Sequence, residues 1–182
     1  MDLVKPCLLL LLFLLIVEVS QEKDAIPWQP DRKLSWADFK GTPPGGKRVA
    51  ATTASGISYS YTTIGSNGRY KLDYKVTTLF YPHQSWYHSE LCDSVVLSHE
   101  QLHFDISELY ARKMRFRLER TSFSENVKQE IRDIYQETLK ELADFQDQYD
   151  WETNFSRNRE AQLEWNARIA EALKSTGKSN TP

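Results

Sequence analysis

Cysteine is nearly absent from this chain: Cys7 and Cys92 are the two in 182 residues. A disulfide scaffold is therefore excluded. With the leading segment set aside only Cys92 remains, so the domain must rest on its own core. Neither sign of charge is in surplus, with 23 Lys and Arg against 25 Asp and Glu. The basic residues are scattered among acidic ones. The densest group, Arg112 to Arg120, falls where a helix carries solvated or carboxylate-paired charge, so no nucleic-acid partner is expected. Long apolar runs are missing too, except for Leu8 to Val17, which is short for a membrane-crossing helix. With Lys5 ahead of it, that run reads as a signal peptide cleaved after Ser20, or as an uncleaved anchor because Glu18 suits a cleavage site poorly. Export to the periplasm, the cell surface or the medium is expected, with no membrane contact beyond this segment. Internal repeats and low-complexity stretches are also lacking. The length then suits a single domain over 34–174, after a 1–20 leader and a 21–33 lead-in and before a flexible tail at 175–182.

What is present divides into two halves. Trp36 and Phe39, ahead of Gly41 and the loop from Thr42 to Lys47, suit a short apolar anchor capping one end of the core. Ile57, Tyr59 and Tyr61 then alternate with polar residues, as do Tyr70, Leu72, Tyr74, Val76 and Thr78. Gly65-Ser66-Asn67-Gly68 between them has hairpin-turn composition, and a further strand is expected beside the pair. Tyr59, Tyr61, Tyr70, Tyr74 and Tyr81 suit sheet-face packing, with a substrate groove as the competing role. Beyond Pro82 the period changes to that of helices. One helix is expected from an N-cap at Ser89 to about Arg120, a second from Ser124, and a third from about Ser156. Strands first and helices second imply an α+β domain, a small antiparallel sheet followed by three helices.

Histidine is scarce as well, four in all, yet two stand in His99-Glu100-Gln101-Leu102-His103. Residues four apart on a helix lie about 40° apart around its axis, so both imidazoles leave one face and can share a metal. Glu100 sits at the edge of that face, where a general base can act without becoming a ligand. On a helical wheel the histidines fall within an apolar stripe that includes Val95, Leu102, Ile106, Tyr110 and Met114. The opposite face carries Gln101, Asp105, Glu108, Arg112 and Arg115. Two core histidines satisfied by hydrogen bonds are the bland alternative, and the intervening Glu favours the metal. The expectation is one Zn2+ held by His99 and His103 in a zincin-like site, with Glu100 catalytic. Water would attack a peptide carbonyl, Glu100 taking its proton and passing it to the leaving amine. The partner is then a peptide or protein substrate, although the same apparatus can cleave other bonds. Tyr149 and His88 are candidate donors to an oxyanion, and the competing role of Tyr149 is core packing. Oligomeric state is left open.

Four blocks carry a resemblance. Trp36-Ala37-Asp38-Phe39-Lys40-Gly41, Ser85-Trp86, the run from Leu97 to Ile106, and Tyr149-Asp150-Trp151-Glu152-Thr153 with Gln162, Trp165 and Asn166 resemble the bacterial domain-of-unknown-function 922 family. The resemblance implies a secreted zinc-dependent protease. It also implies a histidine after the Glu-Thr pair as third ligand, where this chain has Phe155, which cannot coordinate zinc. A catalytic zinc normally has three protein ligands and a water. Glu152 is the first substitute, with Asp150, His88 and His83 behind it, and capping or outer hydrogen bonding is the competing role for Glu152 and Asp150. Without a third ligand, the alternative is a non-catalytic exported binding domain.

Overall fold

The computed structural model describes residues 24–46, 49–66 and 69–177. The leader with Cys7, the turn residues Asn67 and Gly68, and the end of the tail lie outside them. Strands β1 (Ile26–Pro27), β2 (Ala51–Thr52), β3 (Ser55–Ser66), β4 (Arg69–Phe80) and β5 (Trp86–Tyr87) precede helices α1 (Ser94–Arg120), α2 (Val127–Thr153) and α3 (Arg159–Gly177). The expected α+β order is observed. β3 and β4 form the expected hairpin, with Ile57 opposite Thr78, Tyr59 opposite Val76 and Tyr61 opposite Tyr74. Period-two alternation thus puts these side chains on one face, while Ser60, Lys71, Asp73 and Lys75 face solvent. The further strand is β1, on the outer edge of β4 in the order β1-β4-β3. An edge suits Pro27, which has no N–H for a ladder.

The main core lies between that sheet face and the helices, built on Ile57, Val76, Ile106, Met114, Ile131, Trp165 and Ile169. The tyrosines 59, 61, 70 and 74 pack against it, which is the sheet-packing role. A second cluster of Leu34, Phe39, Phe80 and Phe104 closes one end. Here Trp36 stacks on Tyr87 with ring centroids 4.6 Å apart, tying the aromatic anchor to β5. Gly41 shows why that anchor ends as it does. Its N–H bonds the carbonyls of Pro82 and Ser85, and a Cβ there would lie 2.8 Å from the Ser85 oxygen. The Ser85 hydroxyl in turn accepts the Ala54 N–H at 2.9 Å and donates to the Tyr81 carbonyl, so this junction sets β2 beside β5.

The expected helix starts need correction. The N-cap of α1 is Asp93, whose carboxylate accepts the N–H groups of Val95 and Val96, whereas Ser89 bonds Glu90. Val127 and Arg159 likewise begin α2 and α3 a few residues late. In the middle of α1 the polar face is buried too. Gln101 accepts the Leu34 N–H at 2.7 Å, and Asp105 takes Trp28 Nε1 at 2.7 Å and Lys33. Glu108 accepts from Thr78 at 2.6 Å, Arg112 at 2.9 Å and Arg115 at 3.0 Å. A helical wheel separates polar from apolar, and polar side chains go inside when each finds a partner. The lead-in and β4 supply those partners, so the middle of α1 around the histidines is covered on its polar side as well, while Lys113, Phe116, Glu119 and Arg120 near its end are exposed.

Burial works against the charged form of Glu108, but the bonds from Arg115, Thr78 and Arg112 outweigh it and hold its carboxyl below the usual glutamate range. Because the folded value is depressed, the stabilisation is present above the unfolded pKa near 4.5 and is lost as pH falls through the folded value. Glu108→Gln, which leaves two arginines without their charge partner, is expected to cost about 3 kcal/mol at pH 7. Urea melts at pH 7 and below pH 4 should show that difference shrinking at the acid end.

Candidate metal centre

Helix α1 aims His99 and His103 from adjacent turns toward α2, with their Nε2 atoms 3.3 Å apart. From α2, Asp150 Oδ1 meets His99 Nε2 at 3.0 Å and His103 Nε2 at 2.9 Å. The three donor atoms lie within 4.8 Å of one another, the one such group among the described residues. Two nitrogens held about 2.0–2.1 Å from a tetrahedral zinc would be separated by about 3.3 Å. The two nitrogens match that spacing, while Asp150 Oδ1 lies somewhat closer to each.

Hydrogen bonding behind the rings sets their protons. His99 Nδ1 lies 2.9 Å from Gln162 Oε1, which can only accept, so the ring proton sits on Nδ1. The Gln162 amide is itself oriented, since its Nε2 donates to Tyr149 Oη at 2.7 Å and to Asn166 Oδ1 at 2.9 Å. Asn166 then donates to Ser98 Oγ. A neutral His99 consequently points a bare Nε2 lone pair at the Asp150 carboxylate. Lone pair facing lone pair is repulsive, and either a cation between them or a second proton on the ring resolves it. Asp150 is held well below the usual carboxylate range: burial opposes this, but the bonds from His103 and His99 and their charges prevail. His103 is raised, since the Asp150 bond and the Glu100 charge outweigh the burial that would lower it.

Glu100 is 5 % exposed and lines the same cleft, and its Oε2 has no hydrogen-bond partner among the described residues. A buried carboxylate oxygen left over in this way costs about 1–3 kcal/mol. The cleft, about 760 Å³, runs between β2 and the helices.

The remaining candidates are placed elsewhere. Glu152, first in line as third ligand, accepts from Trp165 Nε1 at 2.8 Å and Gln148 at 2.7 Å. Two residues apart on a helix means about 200° of rotation, so Asp150 and Glu152 cannot both face α1. His83 pairs with Asp24, and His88 packs edge-on against Trp86 with its Nε2 buried and unpartnered. Neither joins the group. Tyr149 is fully buried, stacked on His99 at 4.5 Å, and its hydroxyl donates to the His99 carbonyl and accepts from Gln162. Burial raises its pKa. It therefore holds His99 in place and does not face the cleft. The orienting role of Gln162 had no sign in periodicity, and the hint was its place with Trp165 and Asn166 in the C-terminal family block.

A family model described as a bacterial protein of unknown function, DUF922, matches residues 32–157, more than half of the chain. The chain belongs to the DUF922 family. No curated protein and no solved structure matches it. In this DUF922 protein Phe155 stands at the cleft wall just beyond α2, beside the two histidines and Asp150. The three donor atoms come together without it.

Proposed function

We propose that this protein is a zinc-dependent hydrolase acting on peptide bonds, with His99, His103 and Asp150 as metal ligands and Glu100 as general base. The observation that carries the reading is the convergence of two Nε2 atoms and one carboxylate oxygen beside a buried, unpartnered glutamate on an open cleft. Zinc bound there would supply Lewis acidity, bringing the pKa of water beside it to about 7. Glu100 takes the proton of the attacking water and delivers it to the departing amine. Asp150 balances the positive charge, and Gln162 keeps His99 in the tautomer whose Nε2 is free.

The strand beside the site favours a peptide over other substrates. The His88 N–H bonds the Ala50 carbonyl, so by antiparallel alternation Ala50 and Thr52 face β5, while the N–H and C=O of Ala51 point away from it. Ala51 lines the cleft, and β2 has β5 as its sole strand neighbour among the described residues. An extended peptide can add to such an edge through main-chain bonds. The binding-domain alternative rested on a missing third ligand, and Asp150 now offers one.

Export belongs to this reading, carried by Lys5 and the apolar run from Leu8 to Val17. No helix among the described residues is long and apolar enough to cross a membrane.

The test is metal analysis by mass spectrometry together with hydrolysis of a peptide library. About one zinc per chain, with cleavage stopped by chelation and restored by Zn2+, is the expected result. No stoichiometric zinc and no cleavage would return the protein to the binding-domain reading. Gln162→Leu, which removes the acceptor behind His99, is expected to weaken zinc about 10–100-fold in a competition titration with a chromophoric chelator.

A further inference from the structure

Apolar side chains left in solvent gather at this cleft. Of seven large hydrophobic residues exposed among the described ones, Val49 (49 %), Leu91 (40 %) and Phe155 (58 %) all line it, as does half-buried Val96 of α1. The other four line no part of it. Scattered exposed apolar residues need no explanation, but a cluster around one opening does.

Phe155 is also held there against its backbone preference. Asn154, Phe155 and Ser156 have φ of 47°, 52° and 72° in succession. Asparagine ends a helix in this region readily, whereas a bulky aromatic there is an outlier. The Phe155 N–H bonds the Asp150 carbonyl at 2.9 Å, which ties the turn to the residue that faces the two histidines. Strained backbone of this kind concentrates where a ligand is clamped. Arg157 stands on the same wall, exposed and with no carboxylate partner among the described residues. Its guanidinium makes a long 3.4 Å bond to the Asn154 carbonyl.

We propose that Phe155, with Leu91 and Val96, is the specificity wall of the cleft: the substrate is a peptide with a large apolar side chain next to the cleaved bond and a carboxylate that Arg157 receives. This rests on the metallopeptidase reading. Phenylalanine at 155 is then a substrate contact and not the scar of a lost ligand. An apolar side chain laid between Phe155 and Leu91 leaves water on both sides of the contact, and Arg157 draws a carboxylate to the one cationic side chain lining the cleft among the described residues.

The experiment uses the zinc-loaded full chain on quenched fluorescent peptides varied at both residues flanking the cleaved bond. The peptides are made as free acids, as amides and with an internal Glu. Phe, Leu or Met should be preferred over Gly, Ser and Lys at one flanking position. Phe155→Ala should lower kcat/KM at least about 10-fold more for the apolar peptides than for the small-residue peptides, while Phe155→Leu retains most of the preference. Arg157→Ala should reduce cleavage of only one carboxylate-bearing set, and whether that is the free acids or the Glu peptides identifies the carboxylate. Cleavage without an apolar preference, or a preference that survives Phe155→Ala, overturns the wall. Equal loss across all peptides in Arg157→Ala overturns the role of that cation. No cleavage at all, with Glu100→Gln behaving as the native chain, overturns the metallopeptidase reading itself.

Discussion

Glu100→Gln should reduce peptide hydrolysis by about 10²–10⁴-fold while zinc content stays at the native level. Glutamine keeps the size and the hydrogen-bonding reach of the side chain but cannot take a proton. Glu100 lies outside the group formed by His99, His103 and Asp150, so neutralising it leaves all three donors in place. The residue is nearly buried and its Oε2 has no hydrogen-bond partner among the described residues, so the exchange breaks no bond at that oxygen. A melt of the zinc-free variant should accordingly stay close to that of the native protein, which separates loss of the base from loss of the fold. Loss of zinc together with activity in this variant would make Glu100 a ligand and remove it as the base.

Asp150→Asn should weaken zinc by more than about 100-fold, a larger effect than the 10–100-fold typical of groups behind the ligands. The amide has nearly the same shape, but it lacks the charge that balances the ion and that His99 and His103 share at 3.0 and 2.9 Å. A second signature appears without metal. The folded pKa of Asp150 is depressed, so its contribution is present above its unfolded value and is lost as pH falls through the folded one. The folded pKa of His103 is raised, so its contribution is complete below 6.5 and is lost as pH rises through the raised value. The zinc-free native protein should therefore be most stable between these limits, and Asp150→Asn should flatten that maximum. Melting temperature against pH in chelator measures it. A variant that binds zinc as tightly as the native chain would return the third position to another residue.

Much of the fold could be read from local pattern. The tyrosines of β3 and β4 and the apolar stripe of α1 are neighbours in sequence, and their periods of two and 3.6 state the element directly. Helix starts were less legible, since Ser89 and Asp93 are both good caps and the choice depends on how the chain leaves β5. Burial of the polar side of α1 was not legible at all, because the partners of Asp105 are Trp28 and Lys33, more than seventy positions away.

The candidate site divides along the same line. By itself the sequence determined that His99 and His103 share a face with Glu100 beside them, since a helix places residues four apart together whatever surrounds it. It also carried the family blocks, and it marked Phe155 as a departure. Only the tertiary structure decided which of Asp150 and Glu152 faces the two histidines, because the rotation of α2 about its own axis is set by which side packs against α1. The same packing brought Gln162 behind His99 and gathered Val49, Leu91 and Phe155 around one opening. Such convergence depends on the relative placement of β2, α1, α2 and α3, a property of the whole core that no local pattern encodes.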